Sequence, residues 1–448
     1  MTKDKKFYAN FFSLWKILVL NNVIILGVNL VDNIMLGMFT ETALSGATAC
    51  NQVQFVFQQI ILGLSNTMVV LGSQYWGEKR TEPVKRLSVA AVFLSIAFSA
   101  LLFSFAAVMP EKVVGLFTDS TAIIEEGVEY LIIIKYTYPV FALTNIILAI
   151  LRSVESVKVG FYVSIVTLLF NISLNYLLIF GKLGLPEMGV RGAALATLIA
   201  RVAELIFVIV YVAFFEKKII WGRDDLHKVD YTLFKKYCKT CIPFVLTDGL
   251  FGVSTALQTV ILGHMSEAAI AANSVSSTLY QVLKVAAVGS ASAASVIIGK
   301  TIGEGKPLEK IKEYSKSLQV IFVVIGLLMS ITLFFIRIPI VSMYNISAEA
   351  KDFANGFLLV LCVTCIGTAY QMPTNTGIIR GGGDSKFILI VDIISIWGIV
   401  LPLSFAAAFL WNWHPVAVIA CLNADQIFKS VPAFIKANRY KWIKKLTH

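Results

Sequence analysis

Five acidic side chains stand in stretches that are otherwise apolar: Asp32, Glu204, Asp248, Asp392 and Asp425. Lys135, Arg201, Lys284 and Lys429 share such surroundings. A charge kept in apolar surroundings is costly, so each needs a partner or a task. Spacing supplies partners for some of them. Arg201 and Glu204 are three apart and Asp425 and Lys429 four apart, so each pair can meet on one helix face. Lys135 and Lys284 either snorkel or line a cleft. Asp32 has no basic neighbour at helical spacing.

The elements that hold these residues follow from composition. The chain has 448 residues, 57% hydrophobic and only 15% charged, whereas a soluble chain is about a quarter charged. Runs such as Leu87–Met109 and Phe161–Phe180 are long enough to cross a hydrocarbon core of roughly 30 Å. The expected class is an all-α polytopic membrane protein. Twelve transmembrane helices are expected at roughly 11–38, 46–74, 86–109, 127–151, 159–180, 190–215, 240–263, 269–299, 317–336, 352–379, 387–409 and 415–435. The net charge of +11 fits positive loops on the cytoplasmic side rather than a nucleic-acid surface. Lys112, Lys182, Arg191, Arg337 and Lys351 are the exceptions, and the asymmetry places both termini in the cytoplasm. The start, Met1-Thr2-Lys3-Asp4-Lys5-Lys6, leads into a span without a small-residue cleavage site, so no cleaved signal peptide is expected.

With spans and direction assigned, depth can be compared. Asp32 lies about six residues, or roughly 9 Å, below the outer end of the first span. On the fifth span Asn171 and Asn175 lie about nine and five residues below the same end, four apart and therefore on one face. Thr197 is about seven residues down the sixth. One carboxylate, two carboxamides and a hydroxyl at similar depth offer hard oxygen ligands for sodium, or a seat for a titrating proton. The same set also serves as plain hydrogen bonding between helices.

The chain is an internal duplication with an offset of 226 residues. Leu36-Gly37-Met38-Phe39-Thr40-Glu41-Thr42-Ala43 returns as Leu262-Gly263-His264-Met265-Ser266-Glu267-Ala268-Ala269. Gly63 matches Gly289, and Trp76-Gly77-Glu78 matches Ile302-Gly303-Glu304. Six crossings per copy make the copies enter from the same side, related by an axis along the membrane normal. The expected organisation is two pseudo-symmetric six-helix lobes around a central cleft, 1–215 and 240–448, joined by a charged cytoplasmic linker, 216–239. The copies differ at their acids: Asp32 is matched by Gln258, and Asp248 by Asn22. Asp248 and Asp392 lie about eight and six residues from the inner ends of their spans, candidates for a second, inner acidic site.

Cys238-x-x-Cys241 and Cys362-x-x-Cys365 have half-site spacing for zinc or redox chemistry, but sit at different depths, so small packing residues are expected. Arg380-Gly381-Gly382-Gly383-Asp384 lacks a following Gly-Lys-Ser/Thr and reads as a tight inner turn rather than a phosphate cradle.

Several of these segments resemble the multidrug and toxic compound extrusion (MATE) family of the MOP flippase superfamily. They are Val31-Asp32-Asn33-Ile34-Met35-Leu36-Gly37, Gln74-Tyr75-Trp76-Gly77, Gly189-Val190-Arg191-Gly192-Ala193-Ala194-Leu195-Ala196-Thr197 and Arg380-Gly381-Gly382-Gly383-Asp384. The resemblance covers about the whole chain. It implies export of lipophilic, often cationic organic compounds, driven by inward sodium or proton flow. It further implies that Asp32, Asn171, Asn175 and Thr197 form a cation site of the amino-terminal lobe, these four being the metal ligands if the ion is sodium. The family commonly carries an acid in the seventh span, which Asp248 matches. No cofactor beyond the coupling ion is implied.

A lipid-linked oligosaccharide flippase of the same superfamily is the first alternative, though its pyrophosphate substrate calls for several cavity Arg and Lys. An intramembrane enzyme is a different class. No His-Glu-x-x-His motif, Gly-x-Ser-x-Gly within a span, or paired histidine supports it; the histidines are His227, His264, His414 and His448. An uncoupled channel would usually lack a lone carboxylate so placed. Gln58, Tyr136, Gln258, Tyr280 and Gln281 are candidates for a substrate cleft, where aromatic rings suit a lipophilic cation. The expected partners are the lipid bilayer of the plasma membrane and a small organic substrate, with the chain acting as a monomer.

Overall fold

The computed structural model describes residues 2–116, 120–219, 230–263, 265–344 and 346–447. Part of the expected linker, 220–229, lies outside them, as do His227, His264 and His448. Among the described residues eleven helices are long and apolar enough to cross a membrane, or twelve if one bent pair is counted as a single span. The chain is an all-α, multi-pass membrane protein. Large apolar side chains such as Leu101, Phe105, Leu328 and Phe335 stay exposed along the helices, as lipid-facing surface requires.

In the first half the helices are α1 (Lys5–Phe39), α2 (Glu41–Gly77), α3 (Thr81–Val108), the short α4 (Pro110–Gly115), α5 (Thr121–Ile134), α6 (Thr137–Ser153), α7 (Lys158–Ile179) and α8 (Gly189–Phe214). The second half opens with α9 (Tyr231–Gly263), α10 (Glu267–Gly303), α11 (Leu308–Met343) and α12 (Ala348–Met372), which continues as the π-helical segment Pro373–Ile379. Then come α13 (Ser385–Asp392), π-helical Ile393–Val400, α14 (Leu401–Phe405) and π-helical Ala406–Leu410. The chain closes with α15 (Pro415–Leu422), α16 (Asp425–Phe428) and α17 (Ser430–Arg439).

The duplication is visible in local chemistry. α2 and α10 begin and end 226 positions apart. Each starts on a hydroxyl cap at equivalent positions: Thr40 Oγ1 accepts from the Ala43 amide at 3.1 Å, and Ser266 Oγ from the Ala269 amide at 3.3 Å. Such caps satisfy amides that the first helical turn leaves open. The fourth span, expected at 127–151, is not one straight helix. It is α5 and α6, bent by 51°. Pro139 is the cause: it has no N–H for the Lys135 carbonyl four residues back, and its ring crowds that carbonyl.

Packing divides the chain into two compact units. One comprises Met1–Val19, Ser73–Lys79 and Leu250–His448; the other, Leu20–Gly72 and Arg80–Gly249. They follow the two halves except at the first stretches of α1 and α9, which change places, and at 73–79. Within the first unit Trp15 Nε1 donates to the Ala286 carbonyl at 3.1 Å, and within the second Tyr237 Oη donates to the Leu64 carbonyl at 2.7 Å.

Close helix crossings repeat with the same offset. A Cβ on Gly63 would lie 2.7 Å from Val245 Cα, and one on Gly289 would lie 2.5 Å from Val19 Cγ2. Gly77 abuts the Lys300 carbonyl, and Gly303 the Gln74 carbonyl. Adding 226 to Val19 gives Val245, and to Gln74 gives Lys300. Each contact is therefore repeated with the roles of the copies exchanged.

Candidate functional site

Two polar clusters occupy the apolar helices, one in each unit. The first is built by α1 and α7, which run parallel. Ser164 Oγ donates to Asn21 Oδ1 at 2.5 Å, and Asn175 Nδ2 donates to Asp32 Oδ1 at 2.5 Å. Both pairs are 143 residues apart in sequence, so they lie eleven residues, or about three turns, apart along both helices. This shared register brings Asn175 to Asp32. Asn175 also donates to Asn171 Oδ1 at 3.1 Å, one turn back on the same face. Asn171 and Asn175 are buried, with 1% and 0% of their surface exposed, and Asp32 is half-buried.

No lysine, arginine or histidine nitrogen lies within 4.0 Å of the Asp32 carboxylate among the described residues. Arg201 on α8 acts on it electrostatically from further off, while its guanidinium pairs with Glu204 at 2.7 Å and lies 5.4 Å from the Phe141 ring centroid. The buried Asn175 Oδ1 accepts no hydrogen bond among the described residues. A carboxylate without a bonded cation beside an unused carboxamide oxygen is a donor set that suits a sodium ion or a proton. Thr197 is half-buried on α8 and, among the described residues, makes no hydrogen bond to Asp32, Asn171 or Asn175.

The second cluster joins the last spans. Lys429 Nζ lies 2.7 Å from Asp392 Oδ1 and 3.0 Å from Asp425 Oδ2. Gln426 Nε2 donates to both Asp425 oxygens at 2.9 Å. Gln426 Oε1 accepts from Thr368 Oγ1 at 3.0 Å and Gln371 Nε2 at 2.9 Å, and Asn375 Nδ2 donates to Gln371 Oε1 at 3.1 Å. Tyr280 Oη meets Thr368 Oγ1 at 2.6 Å. Backbone breaks place these groups. Asp392 stands where α13 turns π-helical, and Asp425 opens α16 after the turn at Asn423 and Ala424.

The i,i+4 spacing anticipates the Asp425–Lys429 pair, but no spacing within one helix reveals Asp392 as the second partner. Asp248 has a different partner from Asp392: Asn66 Nδ2 donates to its Oδ2 at 3.2 Å. Gln58 and Tyr136 belong to the unit of the first half, and Gln258, Tyr280 and Gln281 to the other. None of the five hydrogen-bonds another among the described residues. Tyr136 is 51% exposed, and Lys135 Nζ lies 5.6 Å from both its ring and that of Phe103. In the two Cys-x-x-Cys pairs, each second thiol donates to its own helix, Cys241 to the Cys238 carbonyl and Cys365 to that of Cys362.

Residues 18–177 and 243–406 match the sequence model of the MatE family. The chain is 24% identical over 425 residues to a probable multidrug resistance protein NorM of Thermotoga maritima, covering 95% of this chain and 90% of that one. It is 24% identical over 424 residues to an uncharacterized transporter, YisQ, of Bacillus subtilis, covering 92% and 90%. Its fold is similar to that of the MATE transporter VcmN of Vibrio cholerae, with a TM-score of 0.88 at 17% identity over 98% of both chains. It is also similar to a MOP superfamily transporter of Pyrococcus furiosus, with a TM-score of 0.87 at 17% identity over 98% and 96%.

Proposed function

The chain belongs to the MatE family of membrane transporters, and on that premise we propose that it is a cation-coupled antiporter. It exports lipophilic, often cationic organic compounds or drugs by alternating access of its two six-helix halves, with sodium or a proton as the coupling ion. The names of its relatives, multidrug resistance proteins, support the substrate class. The excess of Lys and Arg in the loops on the side of the termini supports a plasma-membrane protein with both termini in the cytoplasm. The single chain carries both clusters, which supports a monomer.

The observation that carries the reading is Asp32. Its carboxylate is hydrogen-bonded by Asn175, which is in turn bonded to Asn171, with no cation at ion-pair distance among the described residues. An ionised carboxylate so held within the membrane favours capture of a cation or proton. Capture removes the charge and so favours one arrangement of the surrounding helices; release favours the other. Differential affinity of this kind ties ion entry to substrate exit.

The test is dye efflux from proteoliposomes under separately imposed sodium and pH gradients. The wild type responds to one of the two gradients, and Asp32→Asn loses the gradient-driven export while eluting as a folded protein. Export by Asp32→Asn at the wild-type rate would sink the assignment.

A further inference from the structure

The two halves meet the same electrostatic problem with different chemistry. In the first, Asp32 is bonded by the neutral Asn175 carboxamide and has no ion-pair partner among the described residues, which leaves room for a cation from solution. In the second, two carboxylates from different helices converge on one ammonium belonging to the chain itself. Lys429 Nζ is 2.7 Å from Asp392 and 3.0 Å from Asp425. The Lys429 and Asp425 side chains are 5% and 6% exposed, and Asp392 22%.

We propose that the Lys429 ammonium is a tethered cation: it fills the seat between Asp392 and Asp425 that a free ion would otherwise take. The Asp392–Asp425 pair therefore keeps its own cation permanently and draws no coupling ion. This inference rests on the reading of Asp32 as the coupling acid, and it removes Asp392 and Asp425 from the coupling step.

Three features support it. The geometry is that of one cation bridging two carboxylates from separate helices, a pairing that burial makes strong and costly to break on one side only. The Asp425 oxygens are further engaged by both contacts of Gln426 Nε2, and Gln426 is anchored through Thr368 and Gln371, so little capacity remains for a second ligand. Further positive charge acts on the same pair: Lys284 on α10 acts electrostatically on Asp425. Arg380 acts on Asp392 from the adjoining turn.

The experiment measures ions moved per substrate, from the reversal of efflux against opposed gradients in proteoliposomes. Three proteins are compared: wild type, Asp32→Asn, and a neutral triple variant carrying Asp392→Asn, Asp425→Asn and Lys429→Met. Replacing the three ion-paired side chains together by neutral groups is milder than removing one of them. The triple variant is expected to keep the wild-type ion-to-substrate ratio, whereas Asp32→Asn loses coupling. If both lose coupling, the tethered-cation proposal is overturned while Asp32 stands. If both keep it, the reading of Asp32 fails while Lys429 stands. If only the triple variant loses it, both fall.

Should the triple variant not fold, Lys429→Gln on the Asp32→Asn background decides. Freed of its occupant, the second half is expected to gain a sodium- or proton-dependent thermal shift that Asp32→Asn alone lacks. No gained shift, or the same shift already present in Asp32→Asn with Lys429 intact, overturns the proposal.

Discussion

At the scale of residues, the first cluster has a hierarchy. Asn175 bonds the Asp32 carboxylate directly, and Asn171 holds Asn175 in position. A hydrogen bond to a charged group contributes about 1.5–3 kcal/mol and a neutral one about 0.5–1.5 kcal/mol. Asn175→Ala is therefore expected to raise the half-saturating concentration of the coupling ion roughly 10- to 150-fold, and Asn171→Ala roughly 2- to 12-fold. Thr197→Val, which breaks no bond to the cluster, is expected to change it by less than about 2-fold. Efflux rates titrated against the ion measure all three, and a larger effect at Asn171 than at Asn175 would reverse the hierarchy. Much of this cluster was legible in sequence because depth and face follow from the 1.5 Å rise and the four-residue spacing. Depth says nothing about which way a neighbouring helix is rotated, and Thr197 therefore shares the level without sharing the bonds. The Asp392–Lys429 contact was hidden for a related reason: it joins separate helices at points where the backbone leaves the regular α-helical path.

At the scale of elements, the apolar runs located the spans, but their irregularities required backbone geometry. Apolar runs flank Lys135–Pro139 on both sides, so one span was expected at 127–151; Pro139 marks the break four residues before it. The π-helical turns at Pro373–Ile379, Ile393–Val400 and Ala406–Leu410 have no counterpart in a 3.6-residue pattern. Caps, by contrast, are short-range and could be matched between the copies. Thr40 and Ser266 bond equivalent amides at the starts of α2 and α10. Thr40→Ala and Ser266→Ala are each expected to cost about 1 kcal/mol, and the corresponding glycine variants only a few tenths. Thermal unfolding in detergent gives the comparison. A loss at one cap and none at the other would mean that the two helices are held differently despite their common start.

At the scale of the whole molecule, duplication preserves the path of the backbone more faithfully than the side chains laid along it. The acids have diverged, Asp32 against Gln258 and Asn22 against Asp248, and so have the contacts at the matched crossings. A Cβ on Gly63 would strike backbone, 2.7 Å from Val245 Cα and 2.9 Å from its nitrogen. A Cβ on Gly289 would chiefly strike a side-chain methyl, Val19 Cγ2 at 2.5 Å, with the Val19 backbone at 3.2 Å and beyond. Overpacking of either kind costs about 1–3 kcal/mol, so Gly63→Ala and Gly289→Ala should both lower the unfolding temperature. Their rescue should differ. Val19→Ala removes the methyl that obstructs Gly289→Ala, and that double variant should recover most of the loss. Val245→Ala leaves the obstructing backbone in place, and the Gly63→Ala double variant should not recover. Because the members of each pair touch, the coupling is read directly from a double-mutant cycle. Equal rescue at the two crossings would show that the copies have kept equivalent packing there, and that their divergence is confined to the charged residues.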